Sequence, residues 1–498
     1  MLVSDDQLIL AIDQGTTSSR AVLVDRSGRF VDVAQEETRQ IFPRSGWVNQ
    51  DADNILDVTF RMVRTVIDRL DGGVGRIAAI GITNQRETTV LWDRQTGEPV
   101  APAIVWQSRQ TADIIRDINA RGMADRYQAI TGLVPDAYFS ASKIAWLLDR
   151  DANLRRRAEA GDICFGTIDS WLIWHLTGGK RHITDMSNAS RTMLFDIRKQ
   201  AWCAELLADL RIPAAILPEV VPNSGELAIT DPSVFGAGIP IAGSAGDQQS
   251  ALFGQACFQP GEAKNTYGTG SFLLMQTGEE ARASTCNLLT TIAWNIDGRT
   301  EYALEGAIFV TGAAVQWLRD GLGIIRHASE VEALAASVGD TGGVSFVPAL
   351  SGMGAPYWDA DARGTITGIS RGTTSAHIAR ATLEAIAMQS RDVLKAMESD
   401  SGIGLAELRV DGGAAQNDLL MQMQADVLGV PVVRPKNVET TVLGAAYLAG
   451  MGVGIWTDRE DVRTSWEIDR RFEPKIDAAE RSLRIEQWQD AVGRARSS

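Results

Sequence analysis

Leu8-Ile9-Leu10-Ala11-Ile12 runs into Asp13-Gln14-Gly15-Thr16-Thr17-Ser18-Ser19-Arg20, and Ala21-Val22-Leu23-Val24 follows. Two apolar runs of strand length flank one polar turn, so the spacing predicts a buried β-hairpin. Asp25-Arg26-Ser27-Gly28 supplies the next turn, with a third strand expected after it. Residues 52–70 carry Ile55, Val58, Val63 and Ile67 at helical spacing. Arg76–Ile82 reads as another strand, leading into the polar cluster Thr83-Asn84-Gln85-Arg86-Glu87-Thr88-Thr89. Strands alternating with helices predict an α/β architecture.

A second polar turn resembles the first. Lys264-Asn265-Thr266-Tyr267 precedes Gly268-Thr269-Gly270-Ser271, and Phe272-Leu273-Leu274-Met275 follows. The recurrence suggests an internal duplication. The chain has 498 residues, too many for one compact core, so two domains are expected, meeting near Gly254. No Pro/Gly/Ser linker stands there, which predicts closely packed connections rather than a tether. From about residue 465 the tail is charged, and Trp466, Ile468 and Trp488 suggest a helix.

Composition narrows the function. The formal charge of −15 argues against nucleic acid or an anionic membrane surface as the main partner, since both reward basic patches. Cys164, Cys203, Cys257 and Cys286 show neither paired nor metal-type spacing and read as reduced thiols of a cytoplasmic protein. No apolar run is long enough to span a membrane.

Both glycine turns offer backbone N–H groups and hydroxyls to an anion, although each alone reads more readily as a plain hairpin turn. Neither fits Walker A, and no G-x-G-x-x-G turn follows the first strand. Val410-Asp411-Gly412-Gly413-Ala414-Ala415-Gln416-Asn417 joins a short strand to a helix over Leu419–Leu428, leaving room for a flat ring or a phosphate, and reads equally as a plain tight strand-to-helix turn. Asp13, beside the first turn, suits Mg²⁺ held with phosphate oxygens and water; the alternative is a turn cap. Asp247 ends Ile239-Pro240-Ile241-Ala242-Gly243-Ser244-Ala245-Gly246-Asp247, where small residues would let a substrate come close. Its carboxylate could take a proton from a hydroxyl, or cap the helix Gln248–Phe253. Arg86 and Glu87 could fix a small polyol, or be surface charge. Trp106, Tyr138 and Phe272 could wall that polyol, or be core.

As an ordered set these motifs resemble the FGGY family of carbohydrate kinases, from Ala11 to about Ala449. Tyr138-Phe139-Ser140-Ala141-Ser142-Lys143-Ile144-Ala145-Trp146-Leu147 is one family-type stretch. Gly364-Thr365-Ile366-Thr367-Gly368-Ile369, with His377-Ile378-Ala379-Arg380-Ala381-Thr382-Leu383-Glu384 after it, is the other. The first turn, Asn84–Thr88, Val105–Gln107 and Gly246–Gln249 look like the glycerol-phosphorylating branch. The resemblance implies two duplicated actin/Hsp70-like (ribonuclease H-like) ATPase lobes around a central cleft. They would divide into 1–253 on the substrate and phosphate side and 254–498 on the nucleotide side. It implies ATP-dependent phosphorylation of glycerol to sn-glycerol 3-phosphate, with ATP and Mg²⁺, in a cytoplasmic homodimer or homotetramer. By the same likeness Arg86, Glu87, Tyr138, Asp247 and Gln248 would bind glycerol hydroxyls, and Trp106 and Phe272 would pack its carbons. Thr16, Thr17, Ser18, Arg20 and Thr269 would hold phosphates, and Gly312, Gln316, Gly413 and Asn417 would line the nucleotide subsite. Asp13 and Asp247 would serve Mg²⁺, with Asp247 also the base.

Two departures stand out. Phe235-Gly236-Ala237-Gly238-Ile239 lacks the arginine with which some relatives bind fructose 1,6-bisphosphate, and no histidine lies in 225–245, where others are phosphorylated. Both controls are expected to be absent, and His377 is expected to be structural. The competing readings are a family kinase for a larger sugar such as xylulose or gluconate, and an actin- or Hsp70-like ATP-binding module working through partners.

Overall fold

The computed structural model describes residues 6–359 and 361–497. Its N-terminal half is built on a six-stranded sheet: β1 (Leu8–Gln14), β2 (Ser18–Val24), β3 (Phe30–Glu37), β4 (Ile77–Asn84), β5 (Ser224–Ile229) and β6 (Pro240–Gly246), ordered β5-β6-β4-β1-β2-β3. The hairpin forms as the alternation of apolar runs and polar turn requires, with Asp13 directly opposite Arg20. The strand expected to end at Ile82 continues through Asn84, because Thr83 and Asn84 pair with Asp13 and Gln14 of β1.

The other half carries a seven-stranded sheet: β7 (Ala263–Tyr267), β8 (Ser271–Gly278), β9 (Leu289–Ile296), β10 (Arg299–Ile308), β11 (Leu408–Asp411), β12 (Val432–Pro435) and β13 (Ile468–Phe472), ordered β9-β10-β8-β7-β11-β12-β13. Around β1 the pairings run antiparallel to β2 and parallel to β4; around β7 they run antiparallel to β8 and parallel to β11. Each sheet continues through one more parallel pair to an antiparallel edge. The two polar turns therefore hold the same place in two sheets of one topology. β13 corrects the helical reading of the tail: Ile468–Phe472 pairs at the sheet edge, and the helix begins only at Ala478.

The main helices are α1 (Ala52–Arg69), α2 (Ser140–Arg150), α3 (Ile168–Leu176), α4 (Asp247–Gly254), α5 (Gly312–Asp320), α6 (Ser375–Ser401), α7 (Asp418–Leu428), α8 (Thr440–Gly452) and α9 (Ala478–Ala495). α1 and α3 cover one face of the first sheet. The opposite face is covered by α8, from the far end of the chain, in a cluster joining Ile9, Ala11 and Val22 to Val442, Ala446 and Ala449. Each half also keeps a cluster of its own, with Ile12, Ile55 and Trp171 in the first and Leu304, Leu383 and Val427 in the second, and this third cluster joins the halves. No helix among the described residues is long and apolar enough to cross a membrane.

The small residues before Asp247 serve this packing. A Cβ on Gly243 would lie 2.4 Å from the Ala449 nitrogen, and one on Gly81 2.1 Å from the Ala445 oxygen, so α8 sits where side chains would be. α4 and α8 meet in the same way: a Cβ on Gly254 would come within 2.0 Å of the Thr440 oxygen, and one on Gly444 within 1.8 Å of the Ser250 oxygen.

Candidate active site

The strand ends of both sheets open on one cleft, and Asp247 stands in it as the first residue of α4. Ser187 Oγ donates to Asp185 at 2.5 Å and accepts from the Gly246 N–H at 3.0 Å, which pins the approach to the helix. Gly246, not Asp247, holds the cap position, and the Asp247 carboxylate accepts from the adjacent Gln248 N–H at 2.7 Å. The capping alternative fails, and the side chain stays 30 % exposed. Burial pushes its carboxyl up; Arg86 and Lys264 offset part of that rise.

Arg86 and Glu87 are 2 % and 1 % exposed, so they are not surface charge. Adjacent side chains in a strand would diverge, but Glu87 lies at φ +60°, and this turn of the backbone keeps both in the site. Arg86 Nε is 3.2 Å from Asp247 Oδ1. Its Nη1 and Nη2 form a fork onto Glu305 at 2.6 and 2.9 Å. Arg191 closes the square, donating to Glu87 at 2.7 Å and to Glu305 at 3.0 Å. Burial alone would raise Glu305, yet Arg191 and Arg86 hold it at about 2. A Cβ on Gly246 would meet Arg86 Cγ and Cδ at 2.7 Å, so this small residue makes room for the arginine rather than for substrate.

Three aromatic rings stand edge to face. Trp106 lies 5.5 Å from Tyr138 and 6.3 Å from Phe272, centroid to centroid, and Tyr138 Oη accepts from Arg86 at 3.4 Å. Each is half-buried, and Phe272 comes from the opposite sheet, so the wall spans the cleft. Trp106 Nε1 donates to Thr16 Oγ1 at 2.9 Å, which ties the wall to the first turn.

Within that turn Gly15 N–H donates to Ser18 O at 2.9 Å, so the turn closes on its own backbone without Asp13 as cap. Thr17 is exposed and Thr16 and Ser18 half-buried. Burial lifts the Asp13 carboxyl to about 6; Arg20 opposes this, and the charges of Asp247 and Glu439 add to it. Arg20 itself pairs with Glu439 from the other half. Asp13 and Asp247, near enough for their charges to act on one another, suit Mg²⁺, which takes one or two carboxylates beside water and phosphate oxygens.

The second turn meets the start of α5 and the Gly412–Gly413 loop. Gly312 N–H, at the start of α5, donates to Gly268 O at 3.0 Å, and Ala313 N–H to Thr269 O at 3.0 Å. A Cβ on Gly412 would lie 2.4 Å from Tyr267 O, which puts the Gly412–Gly413 loop against the same turn. Thr269, Gln316 and Gly413 are exposed. Asn417 caps α7, accepting from Leu420 N–H at 2.8 Å. His377 closes the cap at the start of α6 with Thr374, which is the structural role expected of it.

Sequence reading missed Glu305, Arg191 and Lys264, all fully buried around Asp247 and Arg86. For Glu305 the signal was a charge inside an otherwise apolar strand, Tyr302-Ala303-Leu304-Glu305-Gly306-Ala307-Ile308, since a charge buried there must have a partner; Lys264 and Arg191 stand in polar stretches that carry no such signal.

Comparison with known proteins agrees with this geometry. The N-terminal domain of the FGGY family of carbohydrate kinases matches residues 8–254 and its C-terminal domain residues 263–453. A glycerol kinase of Carboxydothermus hydrogenoformans is 57% identical over 489 residues, 98% of each chain. One of Aromatoleum aromaticum is 59% identical over 488 residues, again 98% of each. The crystal structure of Plasmodium falciparum glycerol kinase with ADP superposes with a TM-score of 0.94 at 37% identity, over 99% of both chains. A xylulose kinase from Lactobacillus acidophilus shares the fold, with a TM-score of 0.87 at 22% identity over 98% of this chain and 97% of its own.

Proposed function

The chain belongs to the FGGY family of carbohydrate kinases, and from that premise we propose that it transfers the γ-phosphate of ATP to a terminal hydroxyl of glycerol, giving sn-glycerol 3-phosphate and ADP. The observation that carries the reading is Arg86 held against Asp247 beneath Trp106, Tyr138 and Phe272. It gives a donor and an acceptor under a short apolar wall, which fits a three-carbon polyol. Full-length relatives at 57–59% identity support glycerol over the larger sugars.

In this reading Arg86, Glu87, Tyr138, Asp247 and Gln248 bind the hydroxyls, and Trp106 and Phe272 pack the carbons. Thr16, Thr17, Ser18, Arg20 and Thr269 hold phosphate oxygens; Gly312, Gln316, Gly413 and Asn417 line the nucleotide subsite. Asp247 accepts the proton of the attacking hydroxyl as the O–P bond forms and the bond to ADP breaks. Asp13 and Asp247 are the carboxylates that would hold Mg²⁺, whose chemistry is to neutralise phosphate charge. Positioning and charge neutralisation supply most of the rate, and closure of the lobes keeps water from competing with glycerol.

We read 1–253 as the substrate and phosphate lobe and 254–498 as the nucleotide lobe, in a cytoplasmic homodimer or homotetramer. A coupled assay with ATP and glycerol, dihydroxyacetone, xylulose or gluconate tests the reaction. Glycerol is expected to give the highest kcat/KM; faster turnover of xylulose overturns the substrate assignment, and full-rate ATP hydrolysis without any polyol overturns the kinase.

A further inference from the structure

Gln248 is the second residue of α4 and is 8% exposed. Its Oε1 accepts a hydrogen bond from Lys264 Nζ, which reaches it from β7 in the opposite sheet. Lys264 is wholly buried, and its Nζ also donates to Thr266 Oγ1 at 2.8 Å. An ammonium donates and never accepts, so it decides which end of the amide faces it. The Gln248 oxygen turns toward the lysine and the Nε2–H groups turn away. Among the described residues no acceptor takes those N–H groups up.

Gln248 thus presents a donor beside Asp247, which presents acceptor oxygens. A hydroxyl entering between them accepts from one and donates to the other. Its proton then points at the base, and a lone pair stays free for attack. Were the amide reversed, two acceptors would face the same hydroxyl and its orientation would be lost.

We propose that Lys264 is a positioning residue of the polyol site, holding the Gln248 amide so that its nitrogen faces the substrate. The inference rests on the proposed reaction. Asp411, Asp247, Arg86 and Glu305 all act on Lys264. Burial lowers Lys264 to about 8, with Asp411 and Asp247 opposing the fall, so the side chain remains an ammonium at pH 7. The competing role for it is to balance the buried carboxylates, and that role would be independent of Gln248.

A double-mutant cycle separates the two. Lys264→Met, Gln248→Ala and the double variant of the full chain are compared by steady-state kinetics. Each single variant is expected to lower kcat/KM for glycerol about 10- to 100-fold, the range for breaking a buried hydrogen bond. The loss falls mainly on KM for glycerol, with KM for ATP within about twofold of wild type. The double variant is expected to be no worse than the more severe single one. Losses that multiply, or an equal rise in KM for ATP, overturn the proposal. Thr266→Val removes only the second tether and keeps every charge. A few-fold loss that disappears in the Gln248→Ala background supports the role, and a loss that persists there overturns it, whether or not Lys264→Met folds. A wild type that does not turn over glycerol overturns the reaction itself; multiplied losses in a glycerol-active protein overturn only the part given to Lys264.

Discussion

Two jobs compete for the carboxylate of Asp247, and the geometry leaves it only one. The helix cap falls to Gly246, so the acid remains half-open to the cleft with Arg86 at 3.2 Å. Asp247→Asn keeps the shape and removes the proton acceptor. Its kcat is expected to fall about 10²- to 10⁴-fold, the usual worth of a general base. ATP affinity, read by calorimetry, should change little, and near-normal turnover would remove the base assignment. The pH profile supplies a second check. Asp13, lifted to about 6, must be ionised to hold a cation, as must Asp247 to take a proton. Protonation removes both roles, so kcat/KM should decline as pH falls through about 6. A rate that is flat down to pH 5 would contradict this. Asp247, Arg86, Glu87 and the aromatic trio were legible because motif and spacing carried them. Glu305 and Arg191 were not, because they owe their place to partners far along the chain: Glu305 lies 219 residues from Arg86, and Arg191 lies 104 from Glu87. Lys264 was not, because its polar strand shows no sign that its ammonium is buried against Gln248. The turn at Glu87 was also hidden, since local sequence does not show that a non-glycine residue is held at positive φ.

Among the elements, the contact of α4 with α8 is the most demanding. Backbone meets backbone there, and Gly444→Ala would drive a methyl to 1.8 Å from the Ser250 oxygen. Overpacking a tight core commonly costs about 1–3 kcal/mol, and here neither helix can yield by moving a side chain. A melting temperature lowered by several degrees is expected, and an unchanged one would show that the helices slide apart freely. Elements with strong local patterns were readable in advance: the hairpin of β1 and β2, and the amphipathic α1, whose seven buried residues line one face. β13 was not, because four of its five residues are exposed and the strand exists only through pairing with β12. The glycines before Asp247 were read as room for substrate. Their actual neighbours are Arg86 for Gly246 and, for Gly243, α8, which lies nearly two hundred residues downstream, where no local rule could reach.

For the molecule as a whole, the repeat of one sheet topology in two halves was glimpsed in the paired turns Gly15–Ser18 and Gly268–Ser271. What the sequence did not disclose is that the halves exchange support. α8 follows the second sheet's β12 in the chain yet covers the first sheet, and Arg20 of the first hairpin pairs with Glu439 just before that helix. This arrangement has a consequence on the ribosome. When β6 has been made, the first sheet still has one apolar face bare, and its cover is encoded roughly 190 residues later. At about 5–20 residues per second the nascent chain waits roughly 10–40 s for it. During that interval the emerging half is a client for whatever shields sticky surfaces in the cell, and a message cut short before codon 440 would yield a product that has no means of hiding that face itself.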